Sequence, residues 1–185
     1  MLMLFGYISS LVLACCGIAF LTWYALYAKK MNKGKWTTSY SATYSLWYKT
    51  LKDKYALWGT YCTVTCMTYI WGAFILSTGF WQSWLAILAM AGLFIMGCFP
   101  SGCSKLQTNI HCIAVQVSIW STLAWVALHG FNYWWVFLSA FIPPFIPWAV
   151  NKYITKKIPD GLLVEWSAFV ATFLWLGIFS IVSMC

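Results

Sequence analysis

Long runs of apolar residues alternate with short polar connectors along the whole chain. A helix that crosses the hydrocarbon core of a membrane needs about 20 mostly apolar residues. Six runs reach or approach that length: residues 2–27, 55–78, 81–99, 108–128, 133–150 and 161–184. Because lipid offers the backbone no hydrogen-bond partners, runs of this length predict helices. We therefore expect an all-α fold, a polytopic transmembrane helical bundle of six spans in a single domain.

The polar connectors predict how this bundle is oriented. All eleven basic residues are lysines, and seven of them lie in the first connector, residues 28–54. The third connector holds Lys105 and the fifth holds Lys152, Lys156 and Lys157, whereas the second and fourth hold none. Since lysine and arginine concentrate in cytoplasmic loops, we expect both termini outside. The second and fourth connectors are short, so the spans that they join form helical hairpins.

Composition indicates lipid rather than water as the surroundings. Hydrophobic residues make up 63% of the 185 residues and charged residues 8%, against about 25% charged in soluble domains. We therefore expect contact with the lipid bilayer and a multi-pass location in the cell (inner, cytoplasmic) membrane. The net charge of +8 does not indicate nucleic acid as a partner, because there is no arginine to form bidentate contacts with phosphate or guanine.

The first connector carries an aromatic stripe. Aromatic residues recur there at steps of three and four, the spacing of one helical face. The stripe begins with Trp36, Tyr40, Tyr44 and Trp47. Lysines flank it, as in helices that lie in the headgroup layer, so one interpretation is an interfacial or partner-binding helix. Two alternatives stay open: an aromatic belt that anchors the flanking spans, and an extended segment in which serine and threonine alternate with the aromatic residues.

Two ionisable residues inside the apolar runs form the candidate site. Glu165 lies little more than one helical turn inside the last run, and a carboxylate at membrane depth needs a partner or water. One alternative is that it reaches back to interfacial water or Lys157. His111 lies in the same predicted cytoplasmic layer, near Asn109 and Gln116. If their spans touch, Glu165 and His111 share a proton; otherwise His111 is a hydrogen-bonded structural residue.

Three prolines interrupt the fifth run near its cytoplasmic end: Pro143, Pro144 and Pro147. Each lacks a backbone N–H and clashes with the preceding turn, so carbonyl groups there lose their donors. Such irregular backbone is tolerated at membrane depth where a neighbouring helix or a watered cavity satisfies it. We therefore expect a cavity or hinge at these prolines. The alternative is a span that ends early, near Phe141.

The cysteines do not predict a redox or metal enzyme. None of the eight forms a C-x-x-C pair, which is the spacing of many thiol oxidoreductases. Four residues are weak candidates for zinc ligands: Cys98, Cys103, His111 and Cys112. Their spacing matches no familiar zinc motif. Nucleophile elbows, phosphate-binding loops and carboxylate clusters are missing from the sequence as well. We therefore expect no catalytic residue, no cofactor and no metal.

Four short segments of the chain resemble segments of other proteins. They are SYSATYS before the second run, LAMAGLFIMGCFP at the end of the third, NIHCIA at the start of the fourth and VEWSAF at the start of the sixth. These segments resemble those of a group of small uncharacterised six-span membrane proteins of gut Bacteroidetes and their phages. The resemblance implies that Pro100, His111 and Glu165 are positions that this group retains, and it implies no activity. In span count and in a proline-then-histidine junction, the chain is also similar to DRAM-type membrane proteins, whose usual orientation differs from the outside N-terminus predicted here.

These features favour one function and leave one alternative. The favoured function is non-enzymatic binding of a lipid, a small apolar ligand or another membrane protein near the inner leaflet. In that case Glu165 and His111 orient the ligand, and the prolines open the space for it. The alternative is a small channel or proton-coupled transporter in which the same two residues relay protons.

Overall fold

The computed structural model describes residues 2–40, 42, 83–99, 104–130 and 134–185. Within them lie five α-helices, one π-helical turn and no strand. The α-helices are α1 (Leu2–Met31), α2 (Ser83–Cys98), α3 (Lys105–Gly130), α4 (Trp134–Val150) and α5 (Asp160–Met184), and the π-helical turn is Asn151–Thr155. The predicted all-α class is confirmed for this part of the chain. The predicted second span, residues 55–78, lies outside it.

Two helices of the described part are long and apolar enough to cross a membrane. They are Leu4–Met31, with 28 residues, and Asp160–Val182, with 23 residues, against the roughly 20 that a span needs. A third apolar helix, Trp84–Met96, is shorter. The first two helices account for two of the six predicted spans.

α1 ends in a left-handed turn. Lys33 (φ 53°) and Gly34 (φ 81°) adopt positive backbone angles, which glycine accepts without steric cost. The N–H of Gly34 donates to the Lys29 carbonyl at 2.9 Å, so it satisfies one of the carbonyls that a helix end leaves unpaired. Lys29 and Lys30 lie in the last turn, where positive charge interacts favourably with the helix dipole.

α5 is the centre of the packing. It lies against α1 and against α4, whereas α2 and α3 form a separate pair. Trp125 of α3 meets Trp175 of α5 edge to face, with the ring centroids 4.8 Å apart. Both rings are fully buried, and this geometry is the preferred one for aromatic pairs. The contact connects the α2–α3 pair to the core around α5.

Asn151 organises the connection between α4 and α5. Its Oδ1 accepts the backbone N–H groups of Ile158 at 2.9 Å and Lys157 at 3.1 Å, and its Nδ2 donates to the Ile158 carbonyl at 2.7 Å. Only 4% of Asn151 is exposed. A buried amide that bonds to the backbone in this way satisfies both the side chain and the turn. The lysines of this connection therefore project from a fixed backbone.

Candidate functional site

Glu165 is hydrogen-bonded to the segment that follows α1. Its Oε2 accepts the backbone N–H of Tyr40 at 2.8 Å, across 125 residues of chain. The Tyr40 hydroxyl donates in turn to the Leu21 carbonyl of α1 at 3.0 Å. Tyr40 therefore joins the last part of α1 to the start of α5. Within the described residues the partner of Glu165 is Tyr40, in place of the Lys157 that the sequence offered as an alternative.

The carboxylate of Glu165 caps a helix start. The backbone is helical at Tyr40 and Ala42, and the Ser39 Oγ accepts the N–H of Ala42 at 2.9 Å, which is the bond of an N-cap residue. Glu165 accepts another of the N–H groups that a helix start leaves unpaired. Negative charge is favourable there, because a helix N-terminus carries partial positive charge. A backbone N–H therefore stabilises this carboxylate.

Aromatic rings surround Tyr40. Its ring stacks on Tyr24, with centroids 5.8 Å apart and 18° between the planes, and meets Phe169 edge-on at 6.1 Å. Burial of Tyr40, then the Glu165 carboxylate, then Tyr24 raise the pKa of the Tyr40 hydroxyl above its usual value. The hydroxyl therefore stays protonated and keeps its bond to α1.

We call residues 36–40 the docked segment, because they are held between α1 and α5. A Cβ at Gly161 would lie 2.8 Å from the Thr38 carbonyl oxygen, so the backbone of the docked segment passes directly over the start of α5. Thr37 is buried. The Trp166 Nε1 of α5 donates to the Thr22 Oγ1 of α1 at 3.2 Å, which keeps the two helices together beneath the segment.

His111 has separate partners at the end of α2. Its Nδ1 lies 3.2 Å from the Met96 carbonyl oxygen and 3.0 Å from that of Phe99. Because both partners are acceptors, Nδ1 carries the hydrogen in this arrangement. Carbonyls at a helix C-terminus have no donor within their own helix, so His111 of α3 caps α2. This geometry fits the structural histidine that the sequence left as an alternative.

The structure gives Glu165 and His111 different partners. Glu165 bonds to the docked segment, and His111 bonds to the end of α2. Within the described residues no hydrogen bond joins Glu165 to His111. A proton shared between them stays a prediction. Asn109 is exposed, and Gln116 accepts a hydrogen bond from Trp120 at 3.0 Å on the exposed side of α3. Among the described residues, no hydrogen bond joins either amide to His111.

α4 continues through Pro143, Pro144 and Pro147 to Val150. The alternative in which the span ends near Phe141 is therefore wrong. Pro143 and Pro147 are exposed on the helix surface, and Pro144 is buried.

A serine of α5 holds the proline segment. The Ser167 Oγ donates to the Pro144 carbonyl at 2.7 Å, and Ser167 is completely buried. This bond adds a tie between the two helices, because the carbonyls that lose a donor to a proline lie four residues before that proline. α4 is therefore fixed against α5 at this point.

A cavity of about 290 Å³ lies among α2, α3, α4 and α5. Four phenylalanines line it: Phe141 and Phe145 of α4, and Phe169 and Phe173 of α5. The hydroxyls of Thr122 and Thr172, which also line it, donate to carbonyls of their own helices at 2.7 and 2.9 Å. Since these donors are already used, the cavity offers a mainly apolar surface.

Glu165 lies on the side of α5 that faces this cavity. Ala168, Phe169 and Thr172 line the cavity and follow Glu165 by three, four and seven residues, the spacing of one helical face. Phe169 also contacts Tyr40. Glu165 itself does not line the cavity; it precedes these lining residues along the same face, toward the start of α5.

The predicted aromatic stripe is described only in part. The Lys29 ammonium lies 4.4 Å from the centre of the Trp36 ring, and Tyr40 is the partner of Glu165. Tyr44 and Trp47 lie outside the described residues. The part that is described packs on α1 and α5.

The suggested zinc ligands are not assembled in the described part of the chain. Cys98 and Cys112 are free and exposed, His111 bonds to the end of α2, and Cys103 lies outside the described residues. Across residues 2–40, 42, 83–99, 104–130 and 134–185, no group of three or more histidine, cysteine, aspartate or glutamate side chains is placed to hold a metal ion.

Two residues that form key hydrogen bonds, Tyr40 and Asn151, are not predicted by the sequence patterns. The spacing assigns Tyr40 to an aromatic stripe, because no spacing rule relates it to Glu165. Ser39 gives a sign of the helix start at Tyr40, since serine before a helical pattern indicates an N-cap. Asn151 lies at the end of an apolar run, a position that gives no sign that it folds the following turn.

No family model, no curated protein and no solved structure matches the chain.

Proposed function

We propose that this chain is a six-span protein of the cytoplasmic membrane, with both termini outside, that holds a lipid tail or a small apolar ligand in the cavity among α2 to α5. The observation that supports it is an apolar cavity of about 290 Å³ that continues the helix face carrying Glu165. An amphiphile fits such a space, with its apolar part in the cavity and its polar part toward the carboxylate.

The size of the cavity supports an apolar occupant. An apolar cavity of about 150 Å³ binds benzene, so a cavity of 290 Å³ has room for roughly a dozen non-hydrogen atoms by proportion. A lipid tail or a small apolar molecule would make dispersion contacts with the apolar atoms that line this cavity.

The helix ends support the proposed orientation. The docked segment connects the last part of α1 to the start of α5, and the turn at Asn151 connects the end of α4 to the same place. The lysines near these helix ends are Lys29, Lys30, Lys152, Lys156 and Lys157. Lysines gathered at one end of a bundle agree with the positive-inside rule.

The hydrogen bonds favour binding over proton relay. A relay requires a path between Glu165 and His111, and their bonds lead to different elements. In the proposed site Glu165 and the docked segment form the polar end, and Phe145 and Phe169 form part of the apolar wall. His111 contributes by holding the end of α2, which supplies Leu93 to that wall.

The test is photo-crosslinking of the full chain in nanodiscs, with a fatty acid that carries a diazirine on its alkyl chain. We expect adducts at Phe145 and Phe169. Replacing Ala168, which lines the cavity, by leucine fills part of the space. We expect Ala168→Leu to lower those adducts about tenfold, equivalent to about 1.4 kcal/mol of binding free energy, because the larger side chain takes up space that the ligand would use.

The matched control is Ala91→Leu, the same substitution at an exposed position of α2. We expect it to leave the adducts at Phe145 and Phe169 unchanged. Adducts confined to exposed residues such as Trp120, or cavity adducts that survive Ala168→Leu at full yield, would contradict the proposed function.

A further inference from the structure

Two lysine-bearing turns meet where α1 ends and α5 begins. We call residues 29–38 the first turn and residues 151–160 the second turn. The Thr38 carbonyl oxygen lies so close to Gly161 that a Cβ there would be 2.8 Å away. Since Gly161 directly follows the second turn, the backbones of the two turns pass next to each other.

The two turns carry a strong excess of positive charge. Their lysines are Lys29, Lys30, Lys33, Lys35, Lys152, Lys156 and Lys157, and their only acidic residue is Asp160. All of these lysines except Lys29 are exposed. Such a surface attracts a partner that carries negative charge.

Hydrogen bonds define the backbone conformation of both turns. Lys33 and Lys156 adopt positive φ angles of 53° and 49°, which are uncommon for residues other than glycine. The N–H of Lys156 donates to the Asn151 carbonyl at 2.7 Å, and the buried Asn151 side chain holds the residues that follow. A fixed backbone lowers the entropy lost when a partner is bound.

Exposed apolar residues lie among the lysines of the second turn. Tyr153 is 72% exposed and Ile154 is 75% exposed. The Lys152 ammonium lies 4.9 Å from the centre of the Trp148 ring and 5.7 Å from that of Tyr153. Lysines beside exposed apolar and aromatic side chains are typical of surfaces in the headgroup layer of a membrane. A soluble anion would not require this apolar part.

We propose that the two turns together bind the phosphate-bearing headgroup of an anionic phospholipid, while Tyr153 and Ile154 enter the layer beneath the headgroup. Lysine provides the compact, mobile positive charge that attracts a phosphate. Each lysine near an anionic lipid surface strengthens the attraction about fivefold. The site uses none of the residues that line the cavity.

The experiment measures how many lipids the full chain retains in detergent micelles, by native mass spectrometry. Phosphatidylglycerol, phosphatidylcholine and soluble glycerol phosphate are titrated separately. We expect phosphatidylglycerol to bind at lower concentration than phosphatidylcholine. Lys157→Gln should weaken phosphatidylglycerol binding about fivefold and leave phosphatidylcholine unchanged, and Lys157→Arg should keep the binding of the unmodified chain.

Lys105→Gln is the matched control, because Lys105 is exposed at the start of α3 and belongs to neither turn. We expect it to change phosphatidylglycerol binding by less than about twofold, well short of the effect at a bound headgroup. Ile154→Ser tests the apolar part of the site, and should weaken phosphatidylglycerol binding without affecting glycerol phosphate.

Three results would overturn this inference. They are equal binding of phosphatidylglycerol and phosphatidylcholine, equal losses in Lys105→Gln and Lys157→Gln, and glycerol phosphate binding as tight as that of the lipid. The photo-crosslinking of the cavity does not depend on these lysines. Failure of the headgroup site and failure of the cavity site therefore give different results.

Discussion

Glu165 caps the start of one helix, and His111 caps the end of another. Glu165 accepts the N–H of Tyr40 at a helix start, and His111 donates to the carbonyls of Met96 and Phe99 at the end of α2. Unpaired N–H groups at a helix start attract a carboxylate, and unpaired carbonyls at a helix end attract a donor. Capping of a helix end is therefore sufficient to explain an ionisable side chain within an apolar run, without any reaction.

The two caps also differ in how far along the chain they reach. Glu165 and Tyr40 are 125 residues apart, whereas His111 bonds to residues 12 and 15 positions before it. Among the described residues, loss of Glu165 is therefore expected to release a distant segment from α5, and loss of His111 to disturb the α2–α3 pair. The effects of substitution should follow this order.

The largest effect is expected for Glu165→Leu. The substitution leaves the Tyr40 N–H without its acceptor, and a hydrogen bond to a charged group is worth about 1.5–3 kcal/mol. We expect the free energy of unfolding in mixed micelles to fall by about 3 kcal/mol, the upper end of that range. Trypsin should also cleave after Lys35 faster than in the unmodified chain.

Glu165→Gln is the matched control for this substitution. Its amide oxygen can still accept the Tyr40 N–H in an ordinary hydrogen bond worth about 1 kcal/mol, so the loss should be about 2 kcal/mol instead of 3. Equal losses for glutamine and leucine would show that the bond to Tyr40 does not hold the docked segment.

A smaller effect is expected for His111→Leu. The carbonyls of Met96 and Phe99 lose their donor, and an unsatisfied buried group costs about 1–3 kcal/mol. We expect a loss of about 2 kcal/mol in the same unfolding experiment. Asn109→Leu, an exposed position on the same helix, should change the free energy by less than about 0.5 kcal/mol.

The double variant tests whether the two caps are independent. If the caps are independent, the losses in the Glu165→Leu, His111→Leu double variant add to within about 0.5 kcal/mol. Coupling above about 1 kcal/mol would link the two side chains, and would favour the shared proton over two separate caps.

The smallest effect is expected for Tyr40→Phe, which removes only the hydroxyl bond to Leu21. We expect a loss of about 1 kcal/mol at neutral pH. The pKa of Tyr40 is raised in the folded protein. Its contribution to the free energy of unfolding is therefore present below about pH 10 and is lost as the pH rises above about 10. The stability of Tyr40→Phe should therefore fall less steeply above pH 10. An identical alkaline slope in both proteins would contradict this.

The helices could be predicted because apolar runs decide where they lie. The predicted runs 133–150 and 161–184 correspond to α4, Trp134–Val150, and α5, Asp160–Met184. The prolines were harder to interpret, because their local effect is to end a helix. Packing against α5 and the Ser167 bond to Pro144 outweigh that effect, and neither can be read from local sequence.

The candidate site could be predicted only as a set of residues. Glu165 and His111 were identified because charge inside an apolar run is expensive. Their partners are backbone groups, and every residue carries such groups, so the sequence contains no sign of which ones are used. The cavity depends on how α2 to α5 meet, which periodicity along one helix does not determine.

The prolines of α4 have a mechanical consequence. Pro143, Pro144 and Pro147 remove three amide hydrogens from one short stretch of the helix, and each absence takes away a bond that resists bending. Phe141 and Phe145 stand on this stretch and form one side of the cavity. This side of the cavity is therefore formed by a helix with fewer backbone hydrogen bonds than a regular helix of the same length, and the Ser167 bond to Pro144 holds it against α5.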